Sequence, residues 1–175
     1  MRSRRKLQRI AIILLSALTL VVVGFVGAGC TTSNDYLLSW HLVDSGKHCD
    51  WDANQSKYES YVVSGAKTWN AYKAGVFRPD SISVVQDVRI SDVSELGESW
   101  LGETSPLGYI NLNKALLDEV SSNCKQNTVL HELGHALGLD HNDNASTNIM
   151  YSYNTAVTAL SSSDKSSYDA SYARY

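Results

Sequence analysis

The feature that most constrains this chain is the run His-Glu-Leu-Gly-His-Ala-Leu-Gly-Leu-Asp-His at residues 131–141. On an α-helix, residues four apart lie one above the other, so His131 and His135 would point the same way and could share one metal ion. The apolar residues of this region recur at helical spacing on another side, which predicts a helix with one core face and one metal face. Those apolar residues are Val129, Leu133, Ala136 and Leu137.

A third imidazole comes from beyond this helix. Gly138 can take a positive φ at no steric cost, so we expect it to end the helix and turn the chain sharply. His141 would then approach the metal from a different direction. Three neutral imidazoles leave the fourth tetrahedral position of a zinc ion to water, which is the arrangement of a catalytic site rather than a structural one.

Glu132 supplies the second chemical group. It lies about 100° around the helix from the first histidine, so its carboxylate can reach the water without ligating the metal. A carboxylate placed there can take a proton from the attacking water and return it to a leaving amine. A zinc held only for stability would give Glu132 no role. The remaining histidines, His41 and His48, are interpreted as ordinary surface or core residues.

This motif, followed nine residues after His141 by Met150 in Asn-Ile-Met-Tyr-Ser-Tyr, resembles the zinc motif and Met-turn of the metzincin metallopeptidases. Among these families it is most similar to a minimal bacterial matrixin. The resemblance implies a zinc-dependent endopeptidase with one catalytic ion, held by His131, His135 and His141, with Glu132 as general base. Met150 would form an apolar floor beneath the histidines.

The resemblance also implies an α+β fold. We expect a twisted, mostly parallel mixed sheet, an active-site helix with a backing helix, and a small C-terminal subdomain that holds the Met-turn and a last helix. Peptide or protein substrates would lie along an edge strand near residues 99–104. Ser152 stands where astacins and serralysins carry a zinc-binding tyrosine, so no tyrosine ligand is expected. The residue after the third histidine differs among metzincin families, and Asn142 at this position matches none of the well-known ones, so the subfamily stays open.

Local patterns predict the remaining elements. Ser56 with Glu59 is a helix start signature. Ser161 with Asp164 is a second one, and it predicts the last helix. The other predictions are strands at 36–43, 82–90 and 108–113, and an amphipathic helix at 57–74 whose aromatic stripe packs in the core.

The first 30 residues are predicted to direct export. A basic flank precedes an uncharged, mostly apolar run at 10–26, which ends in Gly-Ala-Gly-Cys at 27–30. This ending resembles the lipobox of bacterial lipoproteins, although Gly27 stands where that box has leucine. Lipidation at Cys30, secretory cleavage and a retained anchor stay open. All three place a domain at 36–175, after a linker at 31–35, outside the cytoplasmic membrane.

Charge and cysteine content bear on partners. Residues 1–29 hold five positive charges and no negative ones, which leaves 10 Lys and Arg against 18 Asp and Glu, a net charge of −8. Such a surface repels phosphate backbones, so nucleic acid is not an expected partner. Cys49 and Cys124 would form a disulfide in an oxidising compartment, or one thiolate would cap the zinc.

Two functions follow from these patterns. The first is an extracytoplasmic, monomeric endopeptidase, either secreted or attached to the membrane through its N-terminal segment or a lipid. The alternative is a surface-anchored binding lipoprotein in which zinc only stabilises the fold. Substrate and cleavage preference depend on the shape of the pocket, which the sequence does not specify.

Overall fold

The computed structural model describes residues 36–81 and 85–175. The predicted export segment, the linker and Cys30 lie outside these residues. Within them, no helix is long and apolar enough to cross a membrane. The elements in chain order are β1 Cys49–Asp52, α1 Glu59–Tyr72, β2 Phe77–Pro79, β3 Val88–Val93, β4 Gly102–Ser105, β5 Tyr109–Asn113, α2 Lys114–Leu117, α3 Ser122–Ala136 and α4 Ser162–Tyr172.

The strands form one mixed sheet in the order β2-β1-β3-β5-β4. β1 runs parallel to β2 and β3, and β3 runs parallel to β5, while β4 pairs antiparallel with β5 at the edge. Ile90 of β3 lies opposite Ile110 of β5, and both side chains are buried. The mixed sheet is confirmed, and β4 lies at the edge where residues 99–104 were expected.

α1 packs against α3 as the predicted backing helix. Trp69 of α1 is wholly buried, and its Nε1 donates to the carbonyl of Leu130 in α3 at 3.1 Å. The predicted core face of α3 is confirmed, because Val129, Leu133, Ala136 and Leu137 are all buried. Burying a leucine fully is worth about 1.5–3 kcal/mol, so this face anchors the helix that carries the histidines.

The prediction of a strand at 36–43 is wrong. Leu37 makes one isolated antiparallel bridge to Leu139, and the segment runs beside the end of α3 instead of joining the sheet. The amide of Leu38 donates to the carbonyl of Gly138, and that of Leu42 donates to Ala136, each at 2.9 Å. The segment therefore satisfies carbonyls that the end of a helix leaves without partners.

Two further boundaries differ from the prediction. α1 begins at Glu59, without the expected cap, because the Ser56 hydroxyl donates to Asp92 at 2.6 Å and accepts from the amide of Tyr58. The strand expected at 82–90 starts at Val88; residues 82–84 lie outside the described part of the chain. The predicted strand at 108–113 is confirmed as β5, Tyr109–Asn113.

The last helix is confirmed together with its cap. The Ser161 hydroxyl accepts from the amide of Asp164 at 3.0 Å, and the Asp164 carboxylate accepts from the amide of Ser161 at 2.8 Å. This reciprocal capping box satisfies two backbone donors that would otherwise lack partners. It fixes the start of α4 at Ser162.

The predicted disulfide between Cys49 and Cys124 is absent, because both are free thiols. Cys49 is wholly buried in β1, where burial raises the pKa of its thiol and keeps it protonated. Cys124 lies in the first turn of α3, partly exposed, with its amide bonded to Ser121. The two residues belong to different elements with different neighbours.

Candidate active site

The end of α3 brings the third histidine back toward the first two. Gly138 has φ +85°, a conformation that costs glycine little. Its amide donates to the carbonyl of His135 at 2.8 Å, and the amide of Leu139 donates to that of Gly134 at 3.0 Å. This pair of bonds is a Schellman motif, as the sequence predicted for this glycine. The chain reverses there, and His141 follows.

His131, His135 and His141 converge on one point. Each offers a ring nitrogen, and these three atoms lie within 4.8 Å of one another. The ring centroids are 4.6 to 5.1 Å apart. The Nε2 atoms of His131 and His141 are separated by 3.2 Å. The structure thus brings together the three residues that the sequence singled out.

Backbone carbonyls determine which ring nitrogen of His131 and of His135 keeps a lone pair for a metal. Nδ1 of His131 lies 2.8 Å from the carbonyl oxygen of Ile149, and Nδ1 of His135 lies 2.8 Å from that of Leu139. A carbonyl only accepts, so each Nδ1 carries the hydrogen and each Nε2 keeps its lone pair. Burial lowers the pKa of both rings to about 4, so both are neutral at pH 7.

This arrangement fits zinc. Two nitrogens at about 2.0–2.1 Å from a tetrahedral zinc ion lie about 3.3–3.4 Å apart, close to the observed 3.2 Å. Neutral imidazoles are also ligands that zinc prefers. The histidines line a cleft of about 460 Å³, which gives a small molecule access to the site.

Glu132 lies in the same cleft, between α3 and the edge strand. Its residue surface is only 5% exposed, and burial raises the pKa of its carboxyl. The Thr104 hydroxyl of β4 donates to Oε2 at 2.7 Å. On the other side the carboxyl group packs over Gly102, where a Cβ would approach Oε1 to 2.8 Å. Sequence reasoning found Glu132 but missed Thr104, because nothing in the sequence pairs β4 with α3.

Met150 is 1% exposed, and its sulfur packs against Gly134 of α3. The Asp164 carboxylate accepts from the amides of Ile149 and Met150 at 3.0 and 3.2 Å. The carbonyl of Ile149 in turn holds His131. Asp164 was predicted only as a helix cap, and its second role depends on a tertiary contact that the sequence does not reveal.

Aromatic side chains border the cleft. Trp40 and Trp100 line it, as do Tyr151 and Tyr153, whose rings lie 5.7 Å apart. Tyr153 is 72% exposed, with its ring beside that of Tyr151. These residues form a broad apolar border around the polar centre.

Solved structures share this fold at low sequence identity. The archaemetzincin of Methanopyrus kandleri has a TM-score of 0.53 and 14% identity over 75% of this chain and 99% of that one. Myroilysin has a TM-score of 0.52 and 17% identity, covering 76% and 98%. The GM1-bound form of the ECX AB5 holotoxin has a TM-score of 0.52 and 15% identity, covering 73% and 80%. No curated protein sequence matches the chain.

A family comparison is decisive. The model of the matrixin family of peptidases matches residues 43–173, well over half of the chain. The matched region contains the three converging histidines, Glu132 and Met150. The neighbouring folds agree, since archaemetzincin and myroilysin share the mixed sheet and helices. The chain therefore belongs to the matrixin family and is a zinc metalloendopeptidase.

Proposed function

We propose that this matrixin cleaves peptide bonds outside the cytoplasm, with Glu132 as its general base and His131, His135 and His141 as its zinc ligands. One observation carries the proposal: a buried carboxylate lies beside three converging imidazoles in an open cleft. A purely structural zinc accounts for the histidines but gives the buried Glu132 no function. The binding-lipoprotein alternative therefore leaves a costly buried charge unexplained.

The proposed chemistry divides among few groups. His131, His135 and His141 would hold a zinc ion, which would supply Lewis-acid chemistry to a water molecule and to the scissile carbonyl. Glu132 takes one proton from the attacking water and delivers it to the nitrogen of the leaving amine. Burial raises the pKa of Glu132, which makes its carboxylate a stronger base than one in solvent. His131 and His135 stay neutral and keep their orientation through the carbonyls of Ile149 and Leu139.

The edge strand supplies a place for the substrate backbone. β4 is the last strand of the sheet and pairs on one side with β5. Its other edge faces the cleft, which Gly102, Glu103 and Thr104 line. An extended peptide can add to such an edge through backbone hydrogen bonds, with its side chains beside the aromatic border.

The test of the general base is Glu132→Gln in zinc-loaded protein. We expect kcat on a mixed-sequence fluorogenic peptide library to fall by about 10²–10⁴, the usual contribution of a positioned proton acceptor. Metal analysis should still find zinc, because Glu132 is not a ligand. Glu119→Gln, at an exposed position outside the cleft, is the matched control and should keep parental activity. Equal cleavage by Glu132→Gln and parent would refute the mechanism.

The extracytoplasmic location is proposed from the basic flank and the apolar run at 10–26. A fusion of the full chain to alkaline phosphatase, which is active only outside the bacterial cytoplasm, tests it. Replacing the five N-terminal basic residues by neutral ones should lower the reporter signal, because these residues hold the flank inside. A fusion that is inactive with the natural N-terminus would show that the domain stays in the cytoplasm.

A further inference from the structure

The Thr104 hydroxyl sits between two oxygens of a single residue. It lies 2.7 Å from Oε2 of Glu132 and 3.0 Å from the backbone carbonyl of Glu132. A hydroxyl has one hydrogen, and an ionised carboxylate is the stronger and here the closer acceptor. The hydrogen therefore goes to Oε2. Within the described residues, Thr104 is the only side chain that donates to this carboxylate.

The second oxygen of Glu132 has a different environment. Oε1 lies over Gly102, which precedes Thr104 by two positions in β4, so both residues face the same side of the strand. A side chain at Gly102 would approach the Cγ of Glu132 to 2.7 Å. Because Gly102 has no side chain, the Glu132 carboxyl group can pack directly against this part of β4, while the Thr104 hydroxyl bonds Oε2. Oε2 thus has a donor within the protein, whereas no hydrogen bond from the described residues reaches Oε1.

We propose that Thr104 is a positioning residue, whose hydroxyl anchors Oε2 of Glu132 so that Oε1 faces the reacting water. A glutamate side chain has three rotatable bonds, and a free carboxylate would sample orientations that miss the water. The hydrogen bond restricts these rotations and so holds the carboxyl group in one orientation. Thr104 keeps its own proton throughout, and the transferred proton passes through Oε1. This inference rests on the proposed role of Glu132 as the base.

The kinetic test compares Thr104→Val, which removes the hydroxyl at nearly constant shape, with Thr104→Ser, which restores it. In zinc-loaded protein with the peptide library, we expect Thr104→Val to lower kcat by about 10–100-fold with KM within about twofold. Thr104→Ser should recover kcat to within about threefold of the parent. Thr68→Val is the matched control, because Thr68 donates only to the Ser64 carbonyl within α1, outside the cleft.

The structural test needs no cleavage. In a crystal structure of Thr104→Val we expect the Glu132 carboxyl group to rotate or to occupy several positions. In Thr104→Ser we expect it to keep its parental position. An unmoved carboxyl group in Thr104→Val, or a kcat of that variant within twofold of the parent, overturns the proposal. An equal loss of kcat in Thr104→Ser also overturns it, since shape rather than the hydroxyl would then matter. Thr104→Ala replaces Thr104→Val if the latter does not fold.

These two tests separate this inference from the proposed function. If the parent itself fails to cleave, the endopeptidase proposal fails on that result alone. The crystal structures still decide whether Thr104 holds the carboxyl group, because they read the position of Glu132 directly.

Discussion

α3 and the segment at residues 140–161 both shape the histidine site, but different interactions hold them. α3 is a regular helix with a wholly buried apolar face, anchored on α1 through Trp69 and Leu130. Residues 140–161, all described, contain no helix or strand. This segment carries His141 and the Met-turn, yet its shape cannot come from repeating backbone bonds.

Buried polar side chains replace backbone periodicity in the segment. The side chain of Asn148 donates through Nδ2 to the Asn142 carbonyl at 3.1 Å, beside one backbone bond from the N–H of Asn142 to the Met150 carbonyl at 2.7 Å. Asp164 holds the amides of Ile149 and Met150 from α4. Asn142, Asn148 and Asp164 are each at most 3% exposed. A few hydrogen bonds thus fix many backbone positions. The loss of one of them should lower the free energy of unfolding more than the loss of one hydrogen bond within a helix.

The largest effect is expected from Asp164→Asn. An amide has one acceptor oxygen, whereas the carboxylate accepts from three backbone amides, those of Ile149, Met150 and Ser161. At least one buried amide would then face another donor, which should lower the free energy of unfolding by about 3 kcal/mol. Zinc affinity should fall about tenfold, because the Ile149 carbonyl orients His131. Urea denaturation and competitive zinc titration measure the two effects.

Asp169→Asn is the control on the same helix. Asp169 is exposed and bonds Tyr72 and Lys73 at the surface. Its substitution should lower the free energy of unfolding by less than about 1 kcal/mol and leave zinc affinity unchanged. Equal losses of stability in the two variants would contradict the view that the segment depends on a few buried bonds.

Gly138→Ala tests the turn that joins the two regions. A non-glycine residue at φ +85° costs about 1–2 kcal/mol. The added Cβ would also lie 2.6 Å from Nη2 of Arg174 and 2.9 Å from Oγ of Ser171. We expect a total loss near 2 kcal/mol, together with weaker zinc binding because His141 follows this turn. Urea denaturation and zinc titration again give the values.

Gly75→Ala separates the cost of the positive φ from the cost of crowding around the added Cβ. Gly75 has φ +79°, but no atom lies within 4 Å of an added Cβ. Its substitution should therefore cost only the conformational part, about 1 kcal/mol, and leave zinc affinity unchanged. If Gly138→Ala lowered the free energy of unfolding no more than Gly75→Ala does, the crowding of the added Cβ against Arg174 and Ser171 would contribute nothing.

The same contrast explains which parts of the molecule could be predicted. Spacing alone placed His131 and His135 on one face of α3, since helical periodicity is local in sequence. Gly138 and the Ser161 cap were also predictable, because each acts within a few residues. The contacts from Thr104 to Glu132 and from Asp164 to Ile149 join elements distant in sequence, and no local pattern encodes them. Residues 36–43 were predicted as a strand because their composition favours one, yet the end of α3 offered them carbonyl partners.

The smallest effect is expected from Ser121→Ala, which removes the N-terminal cap of α3. The Ser121 hydroxyl accepts from the Cys124 amide at 3.3 Å, a long bond at the exposed start of the helix. Its loss should lower the free energy of unfolding by at most about 1 kcal/mol. Zinc affinity should not change, because the buried apolar face and the bond from Trp69 to Leu130 hold the helix next to His131, well beyond the cap. If zinc titration showed weaker binding in this variant, α3 would depend on single polar contacts as the following segment does, and the contrast between the two regions would be lost.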